Sequence, residues 1–410
     1  MSKIEELIQQ YCPEGVEYVP VWSMTAWDKK FNGIDKSKQR KVVKYNYLLA
    51  SELKSYQVED GTIKLLTTNI SNLYTTEELG NDLASNGEVV AIPWGGNPIV
   101  QYYKGKFITA DNRIATSLDT NILNNKFLYY CLQNQIKIIS SFYRGSGIKH
   151  PDMSKVLELE IPLPPLPVQE EIVRILDTFT ELQAELQAEL QARQLQYQYY
   201  KTQLLSGDYP TMKIGDITRV FSASRVHKNE WQTSGVPFYR SSDVMSFHRG
   251  EKNTRGEVFI SEELYEILSA KSGKIKIGDL LVTGGGSIGV PYIVDFEPLY
   301  VKDADLLCIV KNGILDNRFL YHYMQSEQFK TYLSSITHDA TIAHYTISQI
   351  KETPVPVPTW EEQQRIITIL DKFDTLNNDL SQGLPAEIEA RRQQYEYYRD
   401  KLLTFKRKNA

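Results

Sequence analysis

IVRILDTFTELQAELQAELQARQLQYQYYKTQLLS, Ile172–Ser206, decides how this chain is built. Its opening, IVRILDTF (Ile172–Phe179), returns as IITILDKF (Ile366–Phe373) 194 residues later. Its close, QYQYYKTQLLS (Gln196–Ser206), returns as QYEYYRDKLLT (Gln394–Thr404) 198 residues later. Between these landmarks ELQA stands three times, from Glu181 to Ala192. Outward from this stretch the duplication continues. His150 matches His344, and IPLPPL (Ile161–Leu166) matches VPVPTW (Val355–Trp360), both at a shift of 194. NKFLYY (Asn125–Tyr130) matches NRFLYH (Asn317–His322) at 192, GEVVA (Gly87–Ala91) matches GDLLV (Gly278–Val282) at 191, and VWSM (Val21–Met24) falls where IGDI (Ile214–Ile217) recurs. A period near half of 410 residues means two domain-sized copies rather than a solenoid of short units.

Each copy has room for a core of its own. Short β-branched and aromatic runs between turn signals (GEVVAIPW, GKFITA, RIATSL; GDLLVTGGG, VPYIVDF, DLLCIV) predict strands of a mixed or antiparallel sheet. NNKFLYYCLQNQIKIISSF and DNRFLYHYMQSEQFKTYLSSI have helical spacing and predict one helix per copy, so each unit is α+β. The prolines of IPLPPLPVQ and PVPVPTW predict a stiff extended linker into a long helix. The first such helix runs from about Val168 to Ser206, roughly 55–60 Å, with a seam that includes Ile172, Phe179, Leu182, Leu186, Leu190, Tyr197 and Tyr200. The second carries Ile366, Phe373, Leu376 and Leu380, breaks or kinks at Gly383–Pro385, and resumes through Tyr395 and Tyr398. The simplest burial of both seams is against each other, leaving other faces for partners. The domains expected are 1–166, a helix over 167–206, a second domain over 207–358, and a second helix over 359–410. Two similar heads separated by helices of adjustable length suit a target made of two marks at a fixed separation.

Composition is that of an ordinary globular protein, with no apolar run long enough to span a bilayer. MSKIEELIQQYCPEG predicts an acidic amphipathic helix rather than a signal core. Cys12, Cys131 and Cys308 make neither a metal spacing nor a disulfide framework, so a cytoplasmic location is expected. The net charge of -5 hides an uneven distribution. Lys29, Lys30, Lys36, Lys38, Arg40, Lys41 and Lys44 face only Asp35 in one stretch. In the corresponding part of the second copy, Arg219, Arg225, Lys228, Arg240, Arg249, Lys252 and Arg255 outnumber Glu230, Asp243 and Glu251. Either stretch alone reads equally as a solvated loop; two in similar places favour a phosphate-contacting surface.

A search for catalysis finds little. GGGSIG (Gly284–Gly289) lacks the Lys-Ser/Thr of a phosphate loop and reads as a tight turn. Asn97-Pro98 is followed by Ile99 rather than by the proline and aromatic of amino-methyltransferases. No lysine completes a nuclease-like cluster around Pro151-Asp152, Glu158 and Glu160, and the six histidines form no paired metal motif. His150 and His344 stand at equivalent polar positions, open to a structural or a contact role.

VPFYRSSDV (Val236–Val244), IKIGDLLVTGGGSIG (Ile277–Gly289), ATIAHYTISQIKETPVPVPTWEEQQRIITILDKFD (Ala340–Asp374), GLPAEIEARRQQYEYYRDKLL (Gly383–Leu403) and the opening MSKIEELIQQYCPEGVEY resemble a type I restriction-modification specificity subunit. The ELQA array is similar to the tetrapeptide repeats of one subclass. IPWGGNPIV departs from the family's Gly-Ser-Ile-Gly strand-turn. The resemblance implies two tandem target recognition domains, each reading half of a split duplex DNA sequence. It also implies two conserved helices that pair as an antiparallel coiled coil, set the spacing and dock two methyltransferase subunits. Those subunits would carry S-adenosylmethionine and methylate adenine; motor-nuclease subunits would use ATP and magnesium; this chain would hold no cofactor and no metal and catalyse nothing itself.

On that reading the candidate DNA contacts are Lys36, Lys38, Arg40, Lys41, Arg144, Ser146, Lys149 and His150 in the first head. In the second they are Arg225, Lys228, Arg240, Ser241, Ser242, Asp243, Thr341 and His344. The spacer is Glu181, Leu182, Leu186, Leu190 and Ala192. The partner-docking positions are Ile172, Phe179, Tyr197, Tyr200, Ile366, Phe373, Tyr395 and Tyr398. A two-headed scaffold that binds no DNA and a self-sufficient methyltransferase or nuclease are the competing readings.

Overall fold

The computed structural model describes residues 2–39, 41–248, 257–337, 344–378 and 383–408. These form two compact units: residues 1–185 with 388–410, and residues 186–387.

In the first unit the head is a six-stranded mixed sheet. After β1 (Glu17–Pro20), the sheet strands are β2 (Thr25–Trp27), β3 (Ile63–Leu66), β4 (Tyr74–Thr75), β5 (Ser85–Pro93), β6 (Gln101–Thr109) and β7 (Asn112–Ser117), in the order β2-β7-β5-β6-β3-β4. Only β3 and β6 run parallel. Strand alternation sends Val90 and Ile92 to one face, under helix Asn125–Asn134, and Val89 and Ala91 to the other, beside Phe107 and Ile114 of the neighbouring strands. Two short ribbons complete it: β8 (Tyr143–Arg144) with β9 (His150–Pro151), and β10 (Glu160–Leu163) with β1. The proline-rich stretch is thus extended, but as a strand closing the head rather than as a free linker.

The second unit repeats this plan: β11 (Thr211–Lys213), β12 (Val220–Ser222), β13 (Val236–Tyr239), β14 (Phe259–Ile260), β15 (Leu280–Thr283), β16 (Pro291–Ile293), β17 (Tyr300–Val301), β18 (Leu306–Ile309) and β19 (Pro354–Pro356). β12-β18-β15-β16 form one sheet, β14-β13-β17 another, and β11 pairs with β19. Where β6 runs on for nine residues, its counterpart is interrupted after Ile293, and the sheet divides.

The single helix expected in each copy is two. Asn125–Asn134 is followed by Ile136–Ser141, and Asn317–Met324 by Glu327–Thr337. At the second break Ser326 Oγ accepts from Phe329 N, because a serine hydroxyl competes for the amides that would otherwise propagate the helix. Side chains of Asn124 and Asp316 cap the preceding helices.

Two buried glutamines then lock the spacer helices to the heads in the same way. Gln169 Oε1 accepts from Asn124 N at 2.9 Å while its amide donates to Ile122 O and Pro164 O. Gln363 repeats this with Asp316 N at 2.8 Å, Ile314 O and Pro358 O. One helical turn pair further on, Asp177 takes Lys126 Nζ (2.7 Å) and Tyr130 Oη (2.6 Å), and Asp371 takes Arg318 Nε (2.8 Å) and His322 Nε2 (2.7 Å). Burial works against the Asp371 charge, yet His322 and Arg318 prevail and hold its carboxyl below the usual range.

The first spacer helix is continuous over Leu166–Leu205, with the ELQA array inside it. The second is described over Trp360–Asn378 and Leu384–Leu402, with Gly383 non-helical where a break or kink is expected; Leu380 lies outside the described residues. Each unit holds an aromatic triad where helices meet. Phe179 packs on Tyr395 (6.3 Å) and Tyr398 (5.5 Å) in the first, and Phe373 stacks on Tyr197 and Tyr200 (5.7 Å each) in the second. Beyond the helix the chain returns to its first head, where Val16 N bonds Lys406 O, Lys408 N bonds Val16 O, and Tyr18 Oη meets Phe405. Residues 388–408 are therefore part of the first unit's fold, not simply the tail of the second helix.

This arrangement corrects the docking positions. Ile172 and Ile366 are 0% exposed and Tyr197 is nearly so, each buried in its own unit by the apolar seam. They face inward and are unavailable to a partner; Tyr200 and Tyr398 keep an open edge. In the array Leu182 is 41% exposed, and Leu186 and Leu190 are half-buried.

Candidate nucleic-acid interface

In each head the exposed candidate loops meet just past the end of an interior strand. β5 ends at Pro93, and the next residues, Trp94-Gly95-Gly96, turn under the Arg144–His150 ribbon. His150 Nδ1 lies 2.6 Å from Trp94 O, and the rings of the two residues are 5.2 Å apart. Gly96 N donates to Lys149 O. A side chain at Gly95 would stand 2.8 Å from Ile148 Cγ2, so the isoleucine would have to shift to admit one. In the second head β15 ends at Thr283, and Gly284-Gly285-Gly286 meets the histidine loop in turn. Gly285 bridges His344, and Tyr345 N donates to Gly284 O. The two histidines, recurring at one shift in sequence, thus occupy one place in the fold.

Around Trp94 the first head builds a charged aromatic cluster. The Arg113 guanidinium lies 4.2 Å from the Trp94 ring, pairs with Asp111 Oδ1 at 2.9 Å and approaches Asp28 Oδ2 at 3.6 Å. Burial raises the Asp28 pKa, and the Ile114 amide and Arg113 offset part of that rise. Arg113 is buried; its role is to brace Trp94. Beside them a cavity of about 590 Å³ is walled by Trp94, Arg113, Asp152 and the exposed Lys29 and Lys30. Neither Trp94 nor Arg113 stood among the sequence candidates. The signal was available in the odd IPWGGNPIV turn, but Arg113 lies on β7 and is joined to it only by the sheet.

The predicted residues divide. Arg144, Ser146, Lys149 and His150 are all exposed on one ribbon and its loop. Lys36 and Lys41 are exposed; Lys38 is engaged, with Nζ at 2.5 Å from Glu158 Oε1 and close to the Trp22 ring. Arg225, Lys228, Ser242 and His344 are exposed in the second head. Two candidates there, Asp243 and Ser241, are corrected, and Arg240 is engaged. Asp243, 1% exposed, caps the helix that starts at Ser241 and holds Arg240 in a two-pronged bond, Nε and Nη2 both at 2.9 Å. Ser241, also buried, donates to Asp305 O. A buried carboxylate that already satisfies an arginine serves the loop's own structure. Arg40, Thr341, Arg249, Glu251, Lys252 and Arg255 lie outside the described residues.

Residues 29–193 and 207–390 each match the type I restriction modification DNA specificity domain. The chain belongs to that family. Among its relatives, a type I restriction enzyme specificity subunit of Haemophilus influenzae is 35% identical over 336 residues, covering 78% of this chain and 83% of the relative. The specificity subunit of an Escherichia coli type I restriction enzyme is 30% identical over 366 residues, 84% and 87% of the two chains. The crystal structure of a type I restriction-modification S subunit from M. genitalium shares the fold, with a TM-score of 0.58 over 95% of this chain and 96% of that one at 17% identity. The matched ranges place one specificity domain over each head of this family member. Among its described residues no helix is long and apolar enough to cross a membrane.

Proposed function

We propose that this chain is the DNA-specificity subunit of a type I restriction-modification system, binding a bipartite duplex target with one head per half-site. The observation that carries this reading is the repeated meeting of a histidine loop with the turn past an interior strand, once in each specificity domain. DNA binding needs phosphate contacts for affinity and base-edge contacts for sequence. Exposed Lys29, Lys30, Lys36 and Lys41 supply the first in one head, and Arg225 and Lys228 in the other. Methyltransferase subunits, with motor-nuclease subunits beyond them, supply the chemistry together with S-adenosylmethionine, ATP and magnesium. They dock on the open faces of the spacer helices. The ELQA array, helical throughout, sets the gap: one repeat is roughly 6 Å of rise and about 40° beyond a full turn, close to the twist of one base pair.

The test is to copurify the chain with its methyltransferase and map methylated adenines across a genome. One split motif is expected, and deletion of one ELQA should shorten its spacer by a base pair while both half-sites stay. A contiguous motif, or methylation independent of this chain, overturns the reading.

A further inference from the structure

Trp94 and Gly284 each stand first past matched strands, and their amides donate to Asp111 O and Asp305 O just before the next paired strand. We propose that Trp94, the turn residue that meets the histidine loop, is a specificity-determining residue of the first half-site. The proposal rests on the reading above as a DNA-specificity subunit.

Three observations point to it. First, the scaffold is the same in both heads while the side chain is as different as two residues can be. Trp94 is a large indole held by Arg113 and His150; Gly284 is bare backbone whose carbonyl accepts from Tyr345 N. A position with a shared backbone site and divergent side chains suits two heads that read different sequences. Second, the indole is prepared in advance. Arg113 is itself fixed by Asp111 and Asp28, so Trp94 is positioned before any ligand arrives, which lowers the ordering cost of contact. The ring is half-buried, and among the described residues its Nε1 has no hydrogen-bond partner. It therefore offers a flat apolar surface together with one donor for a base edge. Third, Lys29 and Lys30 share its cavity, so cations for the DNA backbone flank a side chain for the base. Arg113 and His150 act through Trp94 and are positioning residues.

The second head has no room for a reciprocal change: a Cβ at Gly284 would stand 2.7 Å from Ala304 O and 3.0 Å from Tyr345 O.

The experiment uses the chain in complex with its methyltransferase, with adenine mapping and titration of synthetic duplexes. Trp94→Gly should alter or relax one position of a single half-site and weaken the cognate duplex roughly ten- to hundred-fold. The other half-site and the spacer should not change. Trp94→Phe, which keeps the flat surface and loses the donor, should fall between, and its melting profile guards against misfolding. An unchanged motif in Trp94→Gly overturns the proposal, as does equal weakening on every duplex, which would mark Trp94 as packing. If the unaltered complex methylates no split motif, the functional reading itself falls and the proposal with it.

Discussion

The second unit is assembled in chain order: incoming helix, head, outgoing helix. The first uses the same parts but takes its incoming helix from the far end of the chain, residues 388–402. The helix contacts are nonetheless alike, Phe179 on Tyr395 and Tyr398 as Phe373 is on Tyr197 and Tyr200. Local pattern, not chain order, decides how a helix docks on a head. What differs between the units is chemistry laid on that frame: Trp94 against Gly284, Tyr130 against His322, and Arg399 against Lys201.

The frame should be equally costly to break in both units. Gln169→Leu and Gln363→Leu each leave one amide and two carbonyls buried without their partner, a loss of about 3–5 kcal/mol. Hydrogen exchange over Asn125–Asn134 and Asn317–Met324 should report the loss in the mutated unit alone. A large effect in one unit and a negligible one in the other would end the argument from equivalence.

A smaller effect should separate the units. Lys201 is buried, bonded among the described residues only to Tyr197 Oη at a long 3.4 Å, and burial lowers its pKa to about 8. Arg399, its counterpart, donates to Asn134 Oδ1 at 3.0 Å. The folded state binds the Lys201 proton less tightly than the unfolded chain does. The second unit therefore carries a penalty below pH 8 that lifts as pH rises from about 8 toward the ordinary lysine value of 10.5. Lys201→Met should stabilise that unit at pH 7 by about 1–3 kcal/mol and flatten the rise. Arg399→Met should give no such gain. Urea unfolding across pH 7–10 measures both.

The smallest effect concerns a residue the sequence placed at the interface. Arg240→Ala should cost about 1–2 kcal/mol of stability by releasing Asp243, and weaken all duplexes alike. Titration against duplexes altered one base pair at a time would expose a base-specific loss, which would restore Arg240 as a reader.

Much of this architecture could be read beforehand because duplication prints the same landmarks twice. The two heads, the principal strands and the special places of His150 and His344 follow from matched stretches; the interruption at Gly383–Pro385 follows from its glycine and proline. What escaped depends on contacts far apart in sequence. Residues 388–408 join the first head through Val16 and Tyr18, across nearly the whole chain. Arg113 reaches Trp94 only because β5 and β7 pair. Ile172 and Ile366 looked like docking positions because a seam pattern marks a buried face without saying what buries it. Asp243 looked like a polar contact because a helix cap and a ligand-binding carboxylate use the same residue type.

The claim that each head reads its own half-site is tested most directly by exchanging residues 1–160 for the first head of another family member. Methylated adenines would then be mapped with the partner subunits present. One half-site should be replaced, with the other half-site and the spacer between them unchanged. Change in both half-sites, or in neither, would contradict the account.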